Sequence, residues 1–258
     1  MKKNGLLLGV MMLMGVLSSC VGKATEETKV NVIFDNAQSH KMSLALFGEM
    51  PDELVDKLGI GEGIPSSVSV FLVEKDGKQL LFDAGNGKDD SQLLPRLKEL
   101  GVAPEEVDYI FVTHMHGDHI GGLMKDGQKV FANAKMYVAA PEVEAWAGQA
   151  NADAVLEAYE GNVVKFVPGD ALPCGVEAIA AYGHTPGHTV YRVGDALIVG
   201  DIMHGVALQM EYPEYCARFD MNHEQAIASR KAIIGKVKKE GWKMYGMHFP
   251  STEPIVLK

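Results

Sequence analysis

"VTHMHGDHIGG", residues 112–122, places three histidines and an aspartate within the six positions His114–His119, at the end of the apolar run "DYIFV". The chain has nine histidines in all, so one bend holds a third of them. "VDYIFVT" (107–113) is short, continuous and apolar, the pattern of a strand buried on both faces. If Thr113 ends that strand, His114 and His116 stand two positions apart on extended chain and present their imidazoles to the same side. Gly117 lets the backbone turn towards Asp118 and His119, while Gly121 and Gly122 permit close packing as the next segment leaves. Imidazole nitrogens and a carboxylate gathered at a strand end suit borderline divalent cations. Without a cation or a hydrogen-bond network, so many polar groups at one site are costly.

Outward from the bend, "VSVFLVE" (68–74) and "QLLFDAG" (79–85) flank "KDGK", whose Asp-Gly is a hairpin signal. "QLLPRLKELG" has helical spacing and stops at a glycine. After the bend, "KMYVAA" reads as a strand, "PEVEAWAGQANADAVLEAY" as one helix with proline at its start, and "NVVKFV" as another strand. "TVYRV" and "ALIVGD" form a further hairpin about Gly194 and Asp195. "NHEQAIASRKAIIGKVKKEG" is a helix with Asn222 as its N-cap, and "KMYGMH" supplies a last short strand. Each half holds sheet and helices, which predicts an α/β fold: a four-layer αββα sandwich in a single domain over 30–258. Segments 36–67 and 203–222 break the regular pattern and are candidate walls or lids.

"THMHGDHIGG", "FDAGNG" (82–87), "GHTPGHT" (183–189), "LIVGD" (197–201) and "MHFP" (247–250) together resemble the signature series of the metallo-β-lactamase fold superfamily, in order, from about Val68 to Pro250. The resemblance implies that His114, His116 and His184 hold one metal ion, that Asp118, His119 and His248 hold a second, and that Asp201 bridges the two. Two cations ~3.5–4 Å apart share one hydroxide, the nucleophile of metal-assisted hydrolysis. Zinc is the expected metal, with manganese, iron and cobalt as competitors. Asp118 is the candidate to orient the nucleophile or shuttle its proton, and His204 the candidate donor to the substrate. Asp83 and His188 are candidates for supporting the ligand histidines.

An aspartate at 201 moves the resemblance away from true zinc β-lactamases. "GDIMHGVALQMEYP" and "ARFDMNHEQAIASRKA" are similar to the methyl parathion hydrolase and lactonase-like group. The implied activity is hydrolysis of a small-molecule ester, lactone, thioester or phosphoester. Met203, Met210, Tyr212, Tyr215 and Phe219 are candidate walls for an apolar substrate group. Two other readings stay open: an oxidoreductase using a single iron, as persulfide dioxygenases of this fold do, and a non-catalytic metal- or ligand-binding envelope protein.

The chain of 258 residues is 47% hydrophobic, enough for a substantial core, and its formal charge of −10 gives nucleic acid no electrostatic footprint. Residues 1–20 have Lys2 and Lys3, an apolar stretch from Leu6 to Leu17, and "LSSC", which resembles a lipobox. They predict a lipoprotein-type signal peptide, a lipid on Cys20 as the membrane contact, and placement in a bacterial cell envelope. "VGKATEETK" (21–29) reads as a polar tether. Cys174 and Cys216 carry no pairing prediction, and oligomeric state is not legible.

Overall fold

The computed structural model describes Met1 and residues 27–258. The predicted signal peptide, Cys20 and most of the tether lie outside the described residues. The folded chain takes hold slightly ahead of the expected start at Val30. Thr28 is buried, its N–H donates to Asp195 Oδ1 at 2.8 Å and its hydroxyl donates to the Val193 carbonyl at 2.9 Å.

Fourteen strands and seven α-helices follow among the described residues. The strands are β1 (Val30–Phe34), β2 (His40–Met42), β3 (Ile64–Ser66), β4 (Ser69–Lys75), β5 (Lys78–Phe82), β6 (Val107–Phe111), β7 (Met124–Lys125) and β8 (Gln128–Lys129). β9 (Lys135–Ala139), β10 (Val163–Phe166), β11 (Glu177–Ala180), β12 (Thr189–Val193), β13 (Ala196–Ile198) and β14 (Lys243–Tyr245) complete them. The helices are α1 (Asp52–Leu58), α2 (Leu93–Glu99), α3 (Gly117–Ile120), α4 (Ala140–Trp146), α5 (Ala150–Ala158), α6 (Val206–Gln209) and α7 (His223–Glu240). None of the described helices is long and apolar enough to cross a membrane.

Six strands form one sheet in the order β1-β4-β5-β6-β9-β10, and four form another in the order β11-β12-β13-β14. Alternation along β4 and β6 explains their continuous apolar runs. Val70, Leu72, Ile110 and Val112 face a core shared with Leu93 and Leu97 of α2, Val143 of α4 and Val155 of α5. Phe71, Val73 and Phe111 face the opposite way, into a core shared with Tyr191, Ile198 and Tyr245 of the second sheet. The far side of that sheet packs Val190, Leu197 and Met244 against Ile233 and Val237 of α7. These three cores separate four layers, the expected αββα sandwich.

The Asp-Gly hairpin forms as predicted: Asp76 and Gly77 have φ of 54° and 71°, a turn that suits the strand twist, and β4 pairs antiparallel with β5. The expected single helix over 141–159 does not. It divides into α4 and α5, because Ala147 turns extended (ψ 129°) and Gly148 takes φ 85°, which no helix continues through. The two irregular segments find each other. Phe47, Ile60 and Ile64 pack with Leu208 and Ala217 in a fourth core, and Gly205 lies so close that a Cβ there would meet Ile64 at 2.9 Å.

Candidate metal centre

Four of the five segments that build the site leave the carboxyl ends of strands: Asp83 after β5, residues 114–119 after β6, Asp201 after β13 and His248 after β14. Because β5 pairs parallel with β6 and β13 with β14, each pair delivers its side chains to one end of its sheet. His184 comes from the β11–β12 connection. Close backbone contact seats the bend, since a Cβ on Gly121 would meet the Asn86 carbonyl at 2.2 Å and one on Gly122 the Ala84 carbonyl at 2.0 Å. Gly200 (φ 52°) turns the chain into Asp201, where a Cβ would meet His188 Nε2 at 2.7 Å. His116 is the residue preceding the single turn α3, which carries Asp118 and His119.

All seven sequence-predicted ligands converge. His114, His116, His184 and Asp201 offer ligand atoms within 4.8 Å of one another, as do Asp118, His119 and His248. His114 Nε2 lies 2.9 Å from His116 Nδ1 and 3.1 Å from His184 Nε2, and the latter two nitrogens are 2.9 Å apart. The outer ring atoms of three of these histidines face acceptors. His184 Nδ1 faces Asp220 Oδ1 at 3.0 Å, His119 Nδ1 faces Asp83 Oδ2 at 2.8 Å, and His248 Nδ1 faces the Ser67 carbonyl at 2.8 Å. Each acceptor takes the outer ring N–H, so that in the neutral ring the inner Nε2 is the lone pair. His119 Nε2 and Asp201 Oδ1 stand 3.1 Å apart in an alignment too poor for a hydrogen bond, and both are buried without a partner. Inward-facing lone pairs on imidazole and carboxylate, each ring anchored from outside, fit divalent cations.

Electrostatics concentrate on Asp201. Burial alone would raise its pKa, but the imidazoles of His248, His119 and His204 outweigh that and hold it well below the usual carboxylate range. Burial, reinforced by His119 and His184, pushes His114 well below the ordinary imidazole value. His116 falls to about 4, through burial and then His184. For His119 burial acts downward, yet Asp201 and Asp83 prevail and raise it. The Asp118 side chain is 37% exposed and borders a groove of about 640 Å³ lined also by Asn86, Lys88, Gly117 and Asn151.

His204 lies against Asp201, with Nε2 3.2 Å from Asp201 Oδ2 and Nδ1 buried without a partner. Its ring stacks on His248, centroids 5.1 Å apart, and meets Phe219 at a tilt, 5.6 Å away. Asp83 accepts from Thr113 N–H and Thr113 Oγ1–H, each at 2.8 Å, besides holding His119. His188 acts on the backbone: its Nε2 accepts the Asp201 N–H at 3.0 Å. The expected apolar wall is corrected. Met203 is fully buried and, with Met210, packs in the α7-side core, while Tyr212 and Tyr215 pack beside Phe47, so of the five only Phe219, 44% exposed, borders the site. Cys174 and Cys216 are both free.

Sequence reasoning missed Trp146, whose ring meets His116 edge-on at 5.1 Å, and three buried charged residues, Asp220, Arg230 and Glu142. Arg230 carried a readable signal, since it stands in the buried stripe Ala226, Arg230, Ile233, Val237 of α7. Glu142 carried none, since its donors come from distant loops.

Residues 63–239 match the family described as "Metallo-beta-lactamase superfamily". Ribonuclease Z of Nanoarchaeum equitans is 46% identical over 70 residues, 26% of this chain and 20% of that one. Anti-Pycsar protein Apyc1 of Saccharibacillus brassicae is 46% identical over 56 residues, 22% of this chain and 21% of its own. The chain thus aligns with about a fifth of the length of these relatives. Among solved structures, hydrolase AbOPH of the beta lactamase superfamily superposes with TM-score 0.79 and 26% identity, covering 89% of each chain. AidC, a dizinc quorum-quenching lactonase in complex with a product, superposes with TM-score 0.78 and 21% identity over 88% of this chain and 90% of that one, a likeness of fold.

Proposed function

The chain belongs to the metallo-beta-lactamase superfamily, and on that premise we propose that it is a metal-dependent hydrolase cleaving an ester, lactone, thioester or phosphoester bond in a small molecule. In this reading His114, His116 and His184 hold one divalent cation, Asp118, His119 and His248 hold a second, and Asp201 stands between them. Zinc suits the nitrogen-rich donor set best. The single observation that carries the proposal is the opposition of unpartnered His119 Nε2 and Asp201 Oδ1 at 3.1 Å, inside a shell that already satisfies the outer ring nitrogens. Cations held there supply Lewis-acid activation of water and of the scissile carbonyl or phosphoryl group.

The protein's own groups do the rest. Asp83, Asp220 and the Ser67 carbonyl fix the tautomers of His119, His184 and His248, so the lone pairs are aimed before anything binds. Asp118, at the mouth of the centre, takes the proton released at the nucleophile and returns it to the leaving group. His204 keeps Nδ1 for a hydrogen bond to the seated substrate. Phe219 beside His204 and Trp146 beside His116 flank the opening with apolar rings. The likeness to hydrolase AbOPH supports hydrolysis, and a formal charge of −10 speaks against a polyanionic substrate of the ribonuclease Z kind.

The test is elemental analysis of the purified protein paired with a panel of chromogenic esters, lactones, thioesters and phosphate esters. Two cations per chain and turnover of one class are expected, with both cation retention and turnover lost in His116→Ala. One iron per chain, with oxygen uptake on a persulfide, overturns the reading.

A further inference from the structure

Glu142 is fully buried in the first turn of α4, on an element that contributes no residue to the ligand set. A buried carboxylate needs donors, and Glu142 draws all of its backbone and hydroxyl donors from the two loops that meet at the first metal-ligand triad. Its Oε1 accepts the Met115 N–H at 2.9 Å, and Met115 is the residue between His114 and His116. Its Oε2 accepts the Thr185 hydroxyl at 2.7 Å and the Gly187 N–H at 2.9 Å, from the loop that carries His184. The second loop is seated tightly: a Cβ on Gly187 would meet the Glu142 backbone nitrogen at 2.2 Å, so only a glycine backbone approaches α4 this closely. His114 and His184 are 70 positions apart in the chain, and the Glu142 carboxylate spans the loops that carry them with three hydrogen bonds.

We propose that Glu142 is a positioning residue for the metal centre: its carboxylate clamps the His114–His116 bend to the 184–188 loop and so sets where His116 meets His184. The proposal rests on the reading of this cluster as a cation site. A carboxylate fits the task because it offers acceptors on both oxygens. Glutamine at 142 turns an NH₂ group towards Met115 N–H or towards the Gly187 N–H, a buried donor facing a donor, and one loop is released.

Zinc affinity measured by chelator competition, together with the visible absorption of the cobalt-loaded protein, tests the clamp in the parent chain, Glu142→Gln and Thr185→Val. Glu142→Gln is expected to weaken the tighter zinc site roughly 10–100-fold and to change the cobalt spectrum. Thr185→Val removes one donor at constant shape and is expected to weaken it roughly 3–10-fold. Should Glu142→Gln fail to fold, Thr185→Val decides alone. Zinc affinity within about twofold of the parent, with an unchanged spectrum, overturns the clamp even if the melting temperature falls, because an anchor for α4 alone moves only stability. A parent chain that binds no cation overturns the metal reading and the clamp with it, whereas a binding parent with equally binding variants overturns the clamp alone.

Discussion

Asp201 brings five imidazoles to one carboxylate. Its Oδ2 lies 3.2 Å from His204 and from His248, 3.4 Å from His184 and 3.8 Å from His114, while Oδ1 lies 3.1 Å from His119. A buried, isolated carboxylate costs several kcal/mol, so a carboxylate set among inward-facing imidazole nitrogens fits the reading of this cluster as a cation site. Phe219 is the opposite case, a large apolar side chain left 44% exposed beside His204. A ring in that position gains from covering an apolar substrate group. Phe219→Ala is therefore expected to narrow the preference for longer-chain over acetyl esters by roughly fivefold. Rates across a graded ester series check this, and an unchanged preference removes Phe219 from the binding surface.

The helix α7 shows how an element far from the chemistry reaches it. Asn222 caps it, its side chain accepting the Gln225 N–H at 3.0 Å, and Gly241 in the left-handed region (φ 70°) ends it. From its buried stripe Arg230 donates to the carbonyls of Ile202 (2.5 Å), Pro213 (2.6 Å) and Tyr215 (3.1 Å), and to Asp220 Oδ2 at 3.1 Å. Asp220 in turn holds His184. Arg230→Met strands the Asp220 carboxylate in the interior and is expected to cost about 3–5 kcal/mol in urea unfolding. Adding Asp220→Asn to Arg230→Met is expected to recover part of that loss, and a single-variant cost below about 1 kcal/mol shows that the pair contributes little. The hairpin at Asp76-Gly77 and the cap at Asn222 were legible because each is a local contract between neighbours in sequence. The break between α4 and α5 was not, since alanine-rich flanks mask a glycine that helices tolerate until packing asks for a turn.

Across the whole molecule, the two sheets meet through aromatic rings: Phe82 and Phe111 of the first sheet lie 5.7 and 5.4 Å from Tyr191 of the second, which donates its hydroxyl to the Val112 carbonyl at 2.8 Å. That contact sits two residues before His114, so the core between the sheets and the site share a wall. Because the candidate ligands come from four separate stretches, they converge only in the folded state, and cations stabilise that state by mass action. Zinc at about 100 times its dissociation constant is expected to contribute ~2.7 kcal/mol. Removing it with EDTA should lower the melting temperature by roughly 5–10 °C, and restoring it should reverse the shift. A melting curve indifferent to both removes the coupling between cation and fold.

The histidine-rich bend at 114–119, the β-hairpin and most strands were readable from linear order, because burial alternation, turn chemistry and a dense histidine motif act over a few residues at a time, while the other candidate ligands were named through the family resemblance. Folding alone could establish that His184, Asp201 and His248 arrive within reach of the 114–119 bend, and that Asp83, Asp220 and Glu142 stand behind them. It also chose Phe219 over the four other apolar candidates for the site's edge. The physical reason is that a hydrogen bond to a buried carboxylate, or a place at an opening rather than in a core, depends on which distant segments the packing brings together, and no spacing in the chain encodes that distance.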